Sequence, residues 1–244
     1  MTDNGQQAQS GQNQGREPIF LLPAAVAALA GLMIVVHTAA SVVLNQSGLL
    51  QLYYWFAYLP ARFIAAGEDL IYAAPLLWTP FTHAFLHGGW DHLVLNTAWL
   101  SIFGTPVARR YGDMGMVAIF LVSAFAGAAL FTVVTLYDGV FLIGASGGVA
   151  GLTGAAIRFM FQPVVVTRDP ETGEQIVLGR RLASFKEVML HPRARFFTLL
   201  WLILNAAVPL LPLLLGVNLS IAWQAHLGGF LAGFFMVQLF ERGS

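Results

Sequence analysis

The chain contains no cysteine. That absence removes disulfide staples, thiolate metal sites and a cysteine nucleophile together, so any covalent chemistry must use another side chain. Charge is nearly as scarce: charged residues make up 10% of the 244, and 12 Lys and Arg balance 12 Asp and Glu to a formal net charge of +0. A soluble domain carries about a quarter of its residues as charges. The basic residues do not gather with exposed aromatics on a polar segment, which excludes a nucleic-acid partner. What remains is apolar, 57% of the chain, and the expected partner of such a surface is a lipid bilayer. The expected fold class is an all-α, polytopic membrane protein.

Residues 1–17, MTDNGQQAQSGQNQGRE, hold no apolar run and cannot offset their own ordering entropy, so a disordered tail is expected there, with a membrane domain over 18–244. The tail also lacks the basic start, short apolar core and small-residue cleavage site of a secretory signal, so the first apolar stretch is expected to be retained. A hydrocarbon core about 30 Å thick needs roughly 20 apolar residues of helix. Six stretches qualify: 18–44, 92–110, 114–136, 145–161, 195–215 and 218–240, the fourth being the shortest.

Basic residues near span ends tend to stay in the cytoplasm. Arg16, Arg109, Arg110, Arg158, Arg168, Arg180, Arg181, Lys186, Arg193, Arg195 and Arg242 fall on one side of a six-span path, and Arg62 alone on the other. Both termini are therefore expected to be cytoplasmic. The outer loop 45–91 is long and carries Tyr53, Tyr54, Trp55, Phe56, Tyr58, Trp78 and Trp90, residues that favour the membrane interface, so it should lie partly in the outer leaflet. In the cytoplasmic loop 162–193, the VVVT, RDPETG and EQIVL blocks have the look of a small hairpin, although a charged connector that anchors topology is the preferred reading.

Hydrogen-bonding groups inside spans are costly, so each is a candidate functional residue. The run THAFLHGGWDHLVLN places His83, His87, His92 and Asn96 at the outer entry of the second span; GASGGVAG puts Ser146 at the start of the fourth; AHLGGFLAG puts His226 in the sixth. The second, fourth and sixth spans all run inward, so Asn96, Ser146 and His226 share the outer half of the bilayer. His226 lies roughly 12 Å below its span start near Asn218 at 1.5 Å per residue. The short fourth span should begin below the surface at a similar depth, reached by a dipping loop, DGVFLIGA. From Ser146 one helix face carries Ala150, Thr153 and Gly154, and from His226 one carries Gly229 and Gly233. Small faces let membrane helices approach closely, and a serine needs its base within about 2.6–3.2 Å. Oxyanion donors are available from the Ser146 N–H at a helix N-terminus, His92 and Asn96.

Other readings of the same residues exist. Small-residue runs also serve plain helix packing, and His37 and His191 read as structural. His83 and His87, four apart, could share a helical face as metal ligands with His92, the reading that would make the chain a small transporter or metal-handling protein. No carboxylate inside a span stands near enough to suggest a metalloprotease base, Asp91 being the one competitor.

These residues resemble the rhomboid family of intramembrane proteases. The spacing of His83, His87, His92 and Asn96 is similar to that family's histidine-rich entry to its second span. The GASG segment, Gly144 to Gly147 around Ser146, resembles its nucleophile motif, and His226 with Gly229 and Gly233 resembles its AHxxGxxxG base motif. The likeness covers about Trp78 to Gly233. It implies a Ser146–His226 dyad without an acidic third member, an oxyanion hole from His92, Asn96 and the Ser146 N–H, and His83 and His87 ordering the loop and retaining water. Also implied are transmembrane protein substrates cut near their outer ends, no metal or organic cofactor, and residence as a multi-pass protein in a bacterial inner membrane. A non-proteolytic relative that escorts membrane clients is the second function of this lineage. Three positions depart from the family pattern. Ala150 stands where an aromatic often stacks on the catalytic histidine, Thr79 follows Trp78 where an Arg is common, and Ala108 replaces the Glu of a GxxxExxxG segment framed by Gly104 and Gly112. Something other than residue 150 must therefore hold the His226 ring. In the fifth span, Asn205, Pro209 and Pro212 should weaken regular helix near the outer end, making it a candidate gate.

Overall fold

The structure, a computed structural model, describes residues 22–65, 70–207, 210 and 221–241. The tail 1–17, Pro209, Pro212 and the stretch between the expected fifth and sixth spans lie outside the described residues.

Helix α1 (Ala24–Val43) starts directly after Pro23 and is apolar all round, yet it buries only Val26, Leu29, Met33 and His37. Those positions form one stripe at helical spacing, so the rest of its apolar surface faces outward. The outer loop is built from α2 (Gln46–Phe56), the short turns α3 (Arg62–Ala65) and α4 (Leu70–Ala73), a 3-10 turn at Ala74–Leu77, α5 (Thr79–Thr82) and a second 3-10 turn at His83–Phe85. Helix α6 (Trp90–Thr135) is a 46-residue run bent at Gly112, whose φ of 77° and ψ of 167° lie outside helical space. Only glycine reaches that backbone region without a Cβ clash. The expected second and third spans are thus two arms meeting at one residue.

Helix α7 (Ser146–Met160) is the hub. From Gly147 to Phe159 every residue is buried, against α6 on one side and α10 (Trp223–Met236) on the other. Its 15 residues extend about 22 Å, less than a full bilayer core. Beyond the end of α7, β1 (Val164–Arg168) and β2 (Gln175–Arg180) pair antiparallel. The hairpin, rather than the simple connector preferred from sequence, forms because Asp169 Oδ1 accepts the N–H groups of Glu171 and Thr172 at 2.8 and 3.0 Å, and Gly173 supplies a φ of 71°. Arg180 ties the hairpin to the end of α7 by donating to the Met160 carbonyl at 2.7 Å. Helix α8 (Phe185–Leu190) opens with a capping box between Ser184 and Glu187, and Arg181 holds the Glu187 carboxyl down at about 2. Helix α9 (Pro192–Ala207) follows. Among the described residues, α1 and α6 are long and apolar enough to cross a membrane.

The inner end is closed by cations on carbonyls. Arg158, buried at the last turn of α7, donates to Ala183 O at 2.5 Å and Phe234 O at 2.7 Å. Arg110 and Tyr111 both reach the Glu241 carboxylate, at 2.8 and 2.6 Å. A carboxylate from the C-terminal end thus fastens the α6 bend, beside the buried Ala108.

Candidate active site

Ser146 is the first residue of α7, placed by a loop stitched to the outer segment. Tyr58 and Leu142 exchange backbone hydrogen bonds at 3.1 and 2.8 Å, and the Gly144 N–H donates to His83 O at 2.9 Å. The DGVFLIGA segment is held at each of those points. Gly144 then turns the chain with a φ of 114°, and a Cβ built there would lie 2.7 Å from both Cε1 and Nε2 of His92 and 3.8 Å from Ser146 Oγ. Glycine is required twice over, for conformation and for space. The His92 ring and the Ser146 hydroxyl flank the same backbone atom. The helix N-terminus adds N–H groups that have no intrahelical partner.

His83 explains why the loop holds. Its Nδ1–H donates to Thr79 O at 2.9 Å, and full burial pushes the imidazole down to about 4, so it is neutral. His87 is also buried and also pushed down to about 4, with its ring edge-on to His92 at 5.1 Å. The chain leaves helical space at Leu86 (φ −97°, ψ 140°). His83 and His87 therefore do not share the helical face that a metal reading needs, and among the described residues no three His, Cys, Asp or Glu side chains converge to hold an ion. Asn96 lies one turn beyond His92 on α6, buried, with one amide hydrogen on His92 O at 3.0 Å and a second left to donate. His37, on α1, is buried edge-on against Trp90 at 4.7 Å, and His191 Nδ1 accepts the Ala194 N–H at the start of α9.

His226 is the fourth residue of α10. Its neighbour Ala225 presents its carbonyl to Gly147 and Gly127: a Cβ at those glycines would meet it at 3.4 and 2.6 Å. One turn on, a Cβ at Gly229 would overlap the Gly147 carbonyl, and one at Gly233 the Gly151 carbonyl. The two helices touch backbone to backbone. Of the face expected from Ser146 through Ala150, Thr153 and Gly154, Gly154 does lie at the closest approach, where a Cβ would overlap the Phe230 carbonyl, but the line runs on through Gly151 and Gly147 and not through Ala150 and Ser146. The reason is steric, because only residues without a Cβ let the two backbones come this close. Ala150 instead joins the buried cluster of Phe230 and Ile157.

No hydrogen bond joins Ser146 to His226 among the described residues; in serine hydrolases such bonds commonly tighten only on substrate binding. The His226 ring is held from the other side, its Nδ1 lying 2.8 Å from Oδ1 of Asn205 on α9. Sequence reasoning treated Asn205 only as a weak point in its helix, although the rule that exposed Ser146 and His226, a polar group inside an apolar span, applies to it equally. Arg62 was also passed over. It is fully buried, donates Nη2 to Tyr54 O, and lies 4.8 and 5.6 Å from the Tyr54 and Tyr72 ring centroids. The outer loop therefore has an internal arginine anchor in place of one after Trp78.

A family profile of the rhomboid domain matches residues 75–242. The chain belongs to the rhomboid family. Among its relatives, the Arabidopsis thaliana protein named RHOMBOID-like protein 5 is 26% identical over 159 residues, covering 65% of this chain and 42% of the relative. RHOMBOID-like protein 6, mitochondrial, of the same plant is 35% identical over 80 residues, 33% of this chain and 25% of the relative. The rhomboid protease GlpG of Serratia proteamaculans (strain 568) is 29% identical over 161 residues, 66% of this chain and 47% of the relative. The chain spans less than half the length of each of these relatives. The matched region begins just before His83 and ends after His226, so it contains every residue proposed below. Rhomboid membership makes this an integral membrane protein of helical architecture.

Proposed function

We propose that the chain is an intramembrane serine endopeptidase that cuts transmembrane protein substrates near the outer ends of their spans. The observation that carries this reading is the setting of Gly144, where the His92 ring and the Ser146 hydroxyl close around one glycine while Gly147 abuts the residue before His226. Ser146 Oγ attacks the scissile carbonyl as its proton passes to His226. The tetrahedral oxyanion accepts hydrogen bonds from the Ser146 N–H, His92 and Asn96. Collapse expels the amine, which takes the proton from His226, and leaves an ester on Ser146; a water, deprotonated by His226, then attacks the ester, and His226 returns that proton to Ser146 Oγ as the C–Oγ bond breaks and the acid leaves. His83 and His87 hold the loop in place and need no charge to do so. Six spans, with both termini in the cytoplasm and the 45–91 loop lying partly in the outer leaflet of a bacterial cell membrane, complete the reading.

The second reading, a non-proteolytic escort of membrane clients, requires neither Ser146 nor His226, and the chain retains both. Purified protein in detergent should be labelled by a fluorophosphonate and should cleave a model transmembrane substrate. Ser146→Ala should abolish labelling and reduce cleavage by at least about 10⁴-fold, the scale of removing one member of a serine catalytic unit. Equal cleavage by that variant would refute the mechanism, and loss of cleavage on chelation would favour the metal reading.

A further inference from the structure

Ala150 leaves the His226 ring without the aromatic support that the family pattern would place there, so some other group must fix the imidazole. Asn205, 21 residues earlier on α9, has its Oδ1 2.8 Å from His226 Nδ1 and its Nδ2 2.9 Å from the Trp201 carbonyl. The second contact decides the first. Because an amide nitrogen can only donate and the Trp201 carbonyl can only accept, the amide cannot be flipped, and oxygen must be the atom that faces His226. Oxygen there demands a donor, so the imidazole carries its proton on Nδ1. Its Nε2 lone pair is then the basic site, the tautomer a serine base requires. One turn along α10, Trp201 stacks on Phe230 at 4.3 Å between centroids and 19° between planes, which fixes the height of Asn205 against His226.

We propose that Asn205 is the positioning residue for the base: a neutral third member that locks His226 in its Nδ1–H tautomer and keeps the ring from turning about its side-chain bonds. This rests on the reading of Ser146 and His226 as nucleophile and base. The device differs from an aspartate in supplying orientation without charge, which suits a site inside a membrane, where an ionised carboxylate would carry a large desolvation cost. It also places the support on a helix with little inward packing. The residues α9 buries, Ala194 and Thr198, belong to its first half, while Leu199, Leu200, Ile203 and Leu204 are exposed. Any outward displacement of the far end of α9 would carry Asn205 off His226, so the position of α9 and the readiness of the base are linked.

The test uses Asn205→Leu and Asn205→Ala, which lack the acceptor. Both are measured as the full chain in detergent, per molecule titratable with fluorophosphonate, with thermal midpoints and the ¹⁵N signature of the His226 imidazole recorded alongside. The expected result is a fall in kcat of about ten- to a hundredfold, the cost of misplacing a reacting group by about 1 Å, with KM within about twofold and loss of the pure Nδ1–H signature seen in the wild type. Wild-type kcat in Asn205→Leu or Asn205→Ala would overturn the proposal, as would a loss with the Nδ1–H signature of His226 unchanged, because that pattern marks a packing role alone. Ser146→Ala, run in parallel, separates the two levels: cleavage without Ser146 refutes the dyad itself, whereas a required Ser146 with an indifferent Asn205 refutes only this inference.

Discussion

Helix α10 is gripped from two sides in opposite ways. Toward α7 and α6 the contact is backbone on backbone, with Gly229, Gly233, Gly127 and Gly228 each leaving no room for a methyl group against a facing carbonyl. Toward α9 it is one hydrogen bond and one ring stack. The first contact has almost no freedom and sets the distance from Ser146 to the root of His226. The second is adjustable and sets only where the ring points. On the proposed reading, the molecule separates placing the base from aiming it. Backbone contact suits the first task because it removes rotamers altogether, whereas the second needs only one acceptor.

This contrast can be broken at graded points. Removing the base outright should have the largest effect: His226→Ala should lower cleavage nearly as far as loss of the serine, by at least about 10⁴-fold, with an unchanged thermal midpoint. Wild-type turnover would remove the base from the scheme. Attacking the rigid side should instead show in stability. Gly229→Val forces a branched side chain into the Gly147 carbonyl, and a destabilisation of about 3 kcal/mol or more is expected from such overpacking. An unaltered unfolding midpoint in mixed detergent would show that the interface has slack the structure does not display. Asn96→Ala should leave the fold intact and lower kcat about ten- to a thousandfold, the range for one oxyanion donor, with KM little changed. The mildest perturbation is acid on the outer loop. His83 is neutral and held at about 4 when folded, against about 6.5 unfolded. Below pH 6.5 the unfolded chain binds a proton that the folded one refuses, so stability falls as pH drops from 6.5 toward 4, by up to about 3 kcal/mol. Proteolytic sensitivity of the loop, measured against pH, should rise over that window and flatten in His83→Asn. A profile unchanged by that substitution would assign the acid sensitivity elsewhere.

The residues proposed to carry chemistry stand out in the sequence on unequal grounds. Ser146 and His226 are hydrogen-bonding groups in apolar surroundings, too costly to be incidental, on small helix faces at matched depth, whereas His92 and Asn96 owe more to the family resemblance. The same criterion applied to Asn205, but its partner could not be read, because the crossing of α9 over α10 depends on packing and not on the spacing between residues 205 and 226. The packing face of α7 shares Gly154 with the expected one but otherwise runs through Gly151 and Gly147, because Ser146 stands at the margin of that face. The bend at Gly112 was legible only as a gap between two apolar stretches; that both arms continue as helix right up to one glycine required the backbone angles. The hairpin at 164–180 was underweighted because its strands carry valine, isoleucine and leucine that remain exposed, so no buried alternation marked them as strands.

The density of glycine around the site has a consequence for genetics. Gly144, Gly151, Gly228, Gly229 and Gly233 contribute no functional group, yet at each the added carbon would collide with an atom of the site or of its supporting helices. In a random-mutation screen for inactive alleles, these positions together offer more targets than the two residues proposed to exchange the proton. A map of inactivating changes alone would outline the scaffold more brightly than the chemistry, and the two classes would separate only when each allele is scored for abundance in the membrane as well as for cleavage.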